Sequence, residues 1–149
     1  MNSQLTIAFH IVGFLTSRRG DPLTSEVLAQ TYGTSAVVLR RVLAKLQRAG
    51  LVETRRGVGG GSVLARDPEK MNLREVYEAV TEEADLLPRH PGANQAGVAP
   101  IVADYVNELY EEAELALLGR LEQVSVAQMD QVLGARIRKH HGCSPEPGG

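Results

Sequence analysis

The chain has 149 residues, of which 43% are hydrophobic and 23% charged, a balance typical of a globular domain rather than of a disordered or fibrous chain. Its single cysteine, Cys143, excludes an intramolecular disulfide framework and a zinc ribbon built from cysteines. Residues 1–66 carry a net charge of +6 and residues 67–149 a net charge of −8, so the first half is suited to a polyanion, although a lopsided solvated surface is an alternative.

The first predicted element is a helix over residues 2–17. Residues 5–15 are almost all apolar, but they follow no basic leader region and are too few to span a bilayer. We therefore interpret the segment as a buried helix of a cytoplasmic protein that does not contact a membrane. Apolar residues lie on two sides of this helix. We expect one side to face its own domain, and a partner subunit is a candidate for the other.

Two short helices are predicted next, joined by a tight turn. Thr24 is suited to cap the first of them, with Glu26 complementing the helix dipole and Val27 and Leu28 facing inward. Gly33 is suited to the left-handed residue that ends a helix. Thr34 or Ser35 then caps the second helix, which Gly50 ends. This arrangement is typical of a helix-turn-helix.

The second of these helices has one apolar and one basic face. Its apolar residues follow helical spacing and are Leu39, Val42, Leu43 and Leu46. The opposite face carries Ser35, Arg40, Arg41, Lys45 and Arg48. A generic helical hairpin would show similar periodicity, but the basic face indicates a recognition helix whose first turn enters the major groove.

A glycine-rich loop follows between two short predicted strands, at residues 51–54 and 62–65. The loop reads Arg55-Arg56-Gly57-Val58-Gly59-Gly60-Gly61. A nucleotide-binding loop is an alternative, but such loops end in Lys-Ser/Thr or lead into a helix, and this one leads into a strand. We therefore interpret it as the wing of a winged helix, whose arginines reach phosphates or the minor groove.

The remaining chain is predicted to be helical apart from a linker. A short helix over residues 72–81 has Leu73, Val76, Tyr77 and Val80 as its inward residues. A long helix over residues 99–123, which Pro100 can open, carries an apolar stripe of Val102, Tyr105, Val106, Leu109, Ala113, Ala116, Leu117 and Leu121. The same stripe of a second copy would bury it, although packing on the chain's own first helix is the alternative. A last helix is expected over residues 125–138.

These elements predict a mainly α fold with a small β-hairpin wing. We divide the chain into a winged helix-turn-helix DNA-binding domain at residues 1–82, a linker at 83–98, a helical dimerisation region at 99–138 and a disordered tail at 139–149.

The run GTSAVVLRRVLAKLQRAGLVETRRGVGGGSVLAR at residues 33–66 resembles the Rrf2 family of bacterial transcriptional regulators, which includes the iron–sulfur cluster regulator. The segments LTIAFHIVGFL and MNLREVYEAV are also similar to that family. The resemblance implies a homodimer whose crossed long helices hold two winged domains over a palindromic operator. It implies that Arg56 approaches the minor groove, and that the residues near base edges are Ser35, Ala36, Val37, Val38 and Arg40.

Further contacts are assigned from the residues themselves. Arg40 is suited to a guanine edge, and the small apolar residues to thymine methyls, although Val37 or Val38 belongs to the core in an alternative interpretation. Contacts to the DNA backbone are expected from Thr24, Arg41, Lys45, Arg48, Arg55 and Gly57.

The chain departs from the family's cluster-binding members, which place three cysteines before the long helix. The stretch DLLPRHPGANQAGVAP contains none, and thiolates are the usual ligands of such a cluster. We therefore expect no iron–sulfur cluster and no other cofactor or metal. His90 is interpreted as a surface residue of the linker. A redox role for Cys143 is left open.

The sequence thus predicts a sequence-specific DNA-binding regulator, a repressor, acting as a homodimer on double-stranded DNA and not as an enzyme. The alternative is a winged helix used only for protein–protein contact. The sequence leaves open whether the effector is a small molecule, an oxidant or a partner protein.

Overall fold

A computed structural model describes residues 3–18, 20–81 and 97–141 of the chain. The predicted linker, except for Gly97 and Val98, lies outside these residues, as do His90 and Cys143. Six helices, two strands and one 3-10 turn make up the described part: α1 Ser3–Ser17, α2 Ser25–Tyr32, α3 Ala36–Arg48, β1 Val52–Arg55, β2 Gly61–Leu64, the 3-10 turn Pro68–Lys70, α4 Leu73–Val80, α5 Ala99–Glu122 and α6 Val126–His141.

The helix-turn-helix forms from local signals that the sequence shows. Thr24 caps α2 by accepting a hydrogen bond from the Val27 amide, and Gly33 ends it in the left-handed conformation with φ 79°. Ser35, rather than Thr34, caps α3. The four apolar residues expected on the inner face of α3, from Leu39 to Leu46, are all buried.

One expectation about α2 was wrong, because Val27 does not face inward. Val27 is 41% exposed, whereas Leu28 and Ala29 are buried. Successive residues of a helix point about 100° apart, so the short α2 can turn only one side to the core, and Leu28 and Ala29 occupy that side.

The core lies between α1, the helix-turn-helix and α4. Its largest fully buried side chains come from several elements and include Ile11, Leu28, Leu39, Leu46, Leu51, Met71, Val76 and Val126. The expected inward residues of α4, from Leu73 to Val80, are buried as well. Val126 opens α6, so the last helix contributes to the same core as the winged domain.

The side of α1 that carries Gly13 faces α6 of the same chain. A Cβ atom added at Gly13 would lie 3.5 Å from Cε of Met129 and 3.8 Å from a methyl group of Leu133, so the two helices are in van der Waals contact there. The start of α6 is also tied to the segment before α4, because the Val126 amide donates to the Met71 carbonyl at 2.7 Å. The long helix α5 packs on α4, where Tyr77 Oη donates to Glu114 Oε1 at 2.9 Å.

His10 of α1 is half-buried by this packing. Its ring stacks on Phe14 with 5.8 Å between centroids and meets Tyr32 at 4.9 Å. Within the described part of the chain, its buried Nε2 atom has no hydrogen-bond partner. Burial lowers the pKa of His10, because the charged imidazolium loses hydration there.

The strands form an antiparallel pair, and each is shifted by one residue from its predicted position. The pairing runs from Val52 opposite Leu64 to Arg55 opposite Gly61. Arg55 therefore belongs to β1 and not to the loop, since the hairpin closes at the Arg55–Gly61 pair.

None of the described helices combines the length and apolar character needed to cross a membrane.

Candidate nucleic-acid interface

The first turn of α3 directs Val37 outward and Val38 inward. Val37 is 63% exposed, whereas Ala36 and Val38 are half-buried and pack against the core. The Ser35 hydroxyl accepts a hydrogen bond from the Val38 amide at 3.4 Å, which fixes this turn. The packing therefore places Val38 on the core side of this turn and leaves Val37 exposed on its outer side.

Arg40, on the outer face of α3, is held by the start of α2. Its Nη2 donates to Glu26 Oε1 at 2.7 Å and its Nε donates to Ser25 Oγ at 3.2 Å. The two charged side chains remain 55% and 60% exposed, and ion pairs this exposed contribute little to folding stability. The hydrogen bond from Arg40 lowers the pKa of Glu26, so the carboxylate is ionised at neutral pH.

The sequence alone assigned Glu26 only to the dipole of α2. Glu26 and Arg40 are 14 residues apart on different helices, and no local pattern predicts their contact. The two helices of the motif must be placed side by side before the pair becomes visible.

The basic residues of α3 do not all face the same way. Arg41 and Arg48 are exposed. Lys45 is half-buried, and its Nζ donates to Gln4 Oε1 at 2.9 Å and to the Val80 carbonyl at 3.4 Å. The Lys45 ammonium thus lies against α1 and the end of α4, where its charge interacts favourably with the negative end of the α4 dipole. It does not join the outer face of α3, as the sequence predicted.

Side chains of β1 fix the wing beside α3 and beside the segment that precedes α2. Gln47 of α3 donates from its side-chain amide to the Thr54 hydroxyl of β1. Arg55 donates from Nη1 to the Gly20 carbonyl at 3.3 Å, and Arg56 and Gly57 are exposed at the tip. The wing arginines therefore project from a hairpin whose position relative to the recognition helix is set by hydrogen bonds.

An open cleft of about 430 Å³ lies between the start of α2, the outer face of α3 and the wing. Its polar lining includes Glu26, Arg40, Gln47, Thr54 and Arg55. The glycine-rich loop joins two antiparallel strands, so it lacks the following helix whose N-terminus binds phosphate in nucleotide-binding loops. The cleft is therefore an open groove that separates the helix-turn-helix from the wing.

The comparison with known protein families decides what this arrangement is. The model of the Rrf2 family, described as iron-dependent transcriptional regulators, matches residues 1–131. The chain belongs to the Rrf2 family.

Individual Rrf2 relatives extend over most of the chain. YwnA of Bacillus subtilis is 31% identical over 127 residues, which are 85% of this chain and 93% of YwnA. The HTH-type transcriptional regulator NsrR of the same organism is 28% identical over 124 residues, which are 82% of this chain and 84% of NsrR. Among solved structures, CymR, the global cysteine regulator of Bacillus subtilis, superposes with a TM-score of 0.64 at 19% identity, covering 89% of this chain and 96% of CymR.

The expected fold and coarse function are thereby confirmed. The protein is a winged-helix, DNA-binding transcriptional regulator of the Rrf2 family and not an enzyme, and DNA is its partner.

The family description includes iron dependence, but the cysteine content of this chain does not fit an iron–sulfur cluster held by cysteines. Cys143 is the only cysteine of the sequence, whereas an iron–sulfur cluster is held by several thiolates. The described residues also contain no group of three histidines, cysteines or carboxylates placed to hold a metal ion.

The apolar stripe of α5 divides into two parts. Leu121 packs against the core and Val106 and Leu117 are half-buried. The other members are exposed: Val102, Tyr105, Leu109, Ala113 and Ala116. No residue of α5 is fully buried in the single chain, so the helix keeps an apolar face available to a further partner.

Proposed function

We propose that this Rrf2 regulator binds one specific palindromic DNA sequence as a homodimer and represses transcription by occupying it. The exposed basic face of α3, fixed next to the arginines of the wing, is the observation that carries the proposal. These elements would place the first turn of α3 in the major groove and the wing tip at the neighbouring minor groove.

The outer residues divide by the kind of DNA contact they support. Base contacts are proposed for Val37 and Arg40, with Ser35, Ala36 and Val38 shaping the same turn. Backbone contacts are proposed for Thr24, Arg41, Arg48, Arg55, Arg56 and Gly57, which position the protein without reading sequence. No DNA contact is proposed for Lys45, because its ammonium donates hydrogen bonds to Gln4 and Val80.

The dimer is proposed from α5. Tyr105 and Val102 are 61% and 58% exposed, and Leu109 is 44% exposed. A stripe of this kind is buried when the same helix of a second copy crosses it, since a two-fold interface pairs a surface with itself. Two recognition helices would then meet half-sites about 34–36 Å apart, or a multiple of that distance.

Repression requires only that the dimer occupy its site at the right place in a promoter. The exposed outer face of α3, the wing and the apolar stripe of α5 support such occupancy. An effector, which is a small molecule, an oxidant or a partner protein, would then release the protein from its site.

The test is selection of bound duplexes from a random pool, followed by fluorescence anisotropy on the selected duplex and on a scrambled duplex of equal composition. We expect a two-fold symmetric site and a preference over the scrambled duplex of at least about 10³-fold. Light scattering on the complex should give two chains per duplex. A promoter carrying the selected site should be less active when the protein is present.

Each part of the proposal is contradicted by a different outcome of this test. Equal binding to all duplexes, or binding no tighter than to heparin, contradicts sequence-specific recognition. A selected site without two-fold symmetry that is bound by one chain contradicts the homodimer while leaving DNA recognition in place. Higher promoter activity in the presence of the protein contradicts repression alone.

A further inference from the structure

The hydrogen bonds around Arg40 use one edge of its guanidinium group and leave the other free. Arginine has five N–H donors. Nε and one hydrogen of Nη2, which lie on the same side edge, donate to Ser25 Oγ and Glu26 Oε1. The three remaining donors are on Nη1 and Nη2, at the end of the side chain.

The free end matches a guanine base. Guanine presents O6 and N7 as adjacent acceptors in the major groove, and two parallel N–H donors of an arginine can bind both. In the described part of the chain, no protein acceptor is recorded for the Nη1 group of Arg40. Arg40 lies on the outer face of α3, five residues after its cap.

Stability does not explain the Arg40–Glu26 pair. Both side chains are more than half exposed, and such pairs are screened by solvent. An acidic side chain next to the DNA surface also repels phosphates. A role in orienting Arg40 accounts for the carboxylate, because a guanidinium fixed along one edge loses less conformational freedom when it binds a base.

We propose that Ser25 and Glu26 hold the Arg40 guanidinium with its end edge outward, so that Arg40 binds O6 and N7 of one guanine in each half-site. Ser25 and Glu26 are positioning residues and touch no base. The inference rests on the proposed function, because it requires a preferred DNA sequence.

The experiment measures how strongly binding depends on one N7 atom. Each guanine of the selected duplex is replaced in turn by 7-deazaguanine, and affinities for the modified and unmodified duplexes are compared. We expect one guanine per half-site whose modification weakens binding of the unaltered protein by about 5- to 150-fold. Arg40→Ala should abolish this sensitivity.

Glu26 variants then separate orientation from charge. Glu26→Ala should reduce the sensitivity at that guanine by at least about 3-fold, while affinity for scrambled duplex stays equal or rises because a negative charge is lost. Glu26→Gln, which keeps an oxygen acceptor for Nη2, should restore most of it, and Ser25→Ala should have an intermediate effect. In the Arg40→Ala background, Glu26→Ala should have no further effect on the sensitivity at that guanine.

Glu53→Gln is the matched control, since Glu53 is an exposed acid on β1 and its neutralisation changes charge alone. It should raise affinity for both duplexes equally. The inference is overturned if Glu26→Ala behaves like Glu53→Gln, or if Arg40→Ala keeps the sensitivity, while the proposed function stands in both cases. If the unaltered protein prefers no duplex, the proposed function and the inference both fail.

Discussion

Leu23 and Ser62 exchange two backbone hydrogen bonds, of 3.0 and 2.7 Å, which join the segment before α2 to the second strand of the wing. This contact is an isolated antiparallel bridge at the edge of the two-stranded hairpin. It brings the recognition motif and the wing together at their bases, so the geometry of the DNA-binding surface depends on how closely these two segments approach.

Gly61 is the residue that permits this approach. A Cβ atom added there would lie 2.6 Å from the Leu23 carbonyl carbon and oxygen, and the backbone has φ +150°. We expect Gly61→Ala to destabilise the protein by about 2–4 kcal/mol, because neither backbone can move without losing hydrogen bonds. Urea unfolding followed by circular dichroism measures this loss.

Gly59→Ala is the control for Gly61→Ala. Gly59 has φ +74° but open space around its Cα, so only the left-handed backbone costs free energy, about 1–2 kcal/mol. Equal unfolding midpoints for the two variants would show that the Leu23 contact does not constrain Gly61.

Arg41 and Lys45 form a matched pair on α3 with opposite predicted effects. Arg41 is exposed. Arg41→Ala should therefore make the negative slope of log affinity against log salt less steep by about 1, for one lost phosphate contact. The half-buried Lys45 bonds to Gln4 and Val80. Lys45→Met should therefore leave the slope unchanged and lower the free energy of unfolding by about 1 kcal/mol.

Anisotropy titrations over a range of salt concentrations, with urea unfolding of the same samples, check both predictions. If Lys45→Met also makes the negative slope less steep by about 1, the Lys45 ammonium leaves Gln4 and Val80 when DNA binds.

Leu109 tests the proposed dimer face. Leu109→Asp should raise the dimer dissociation constant by at least about 30-fold, since a buried charge without a partner replaces an apolar contact. Sedimentation velocity over a dilution series measures the constant. Leu115→Asp is the control, because Leu115 is 69% exposed on the same helix but lies off the stripe. Similar dissociation constants for both variants would rule out the stripe as the interface.

His10 predicts a pH dependence of stability. Because burial lowers its pKa in the folded chain, the unfolded chain binds a proton more readily. The stability that neutral His10 contributes is present above the ordinary pKa of about 6.5 and is lost as pH falls from there towards the lowered folded value. His10→Phe, which keeps the contacts with Phe14 and Tyr32, should reduce the loss between about pH 7 and 5.

Urea unfolding at a series of pH values measures that loss. The control is His140→Gln, since His140 is exposed on α6. A pH profile that is the same in His10→Phe and in the unaltered protein would show that His10 is not the group responsible.

Most of the elements could be predicted from the sequence because their causes are local. The caps at Thr24 and Gly33 and the apolar spacing of α3 act within a few residues along the chain. The glycine-rich hairpin could be predicted for the same reason. Because Arg55 pairs with Gly61, each strand is shifted by one residue from its predicted position. The last helix ends at His141, three residues beyond its expected end.

The arrangement of the proposed DNA-binding surface depends on tertiary contacts. The sequence determined that α3 has a basic side, since helical periodicity alone separates it from the buried side. Only the packed structure turned Val38 inward, directed Lys45 to the end of α4 and joined Arg40 to Glu26. Those outcomes depend on which helix lies next to which, and residues distant in the chain show no sign of that proximity until the core has brought them together.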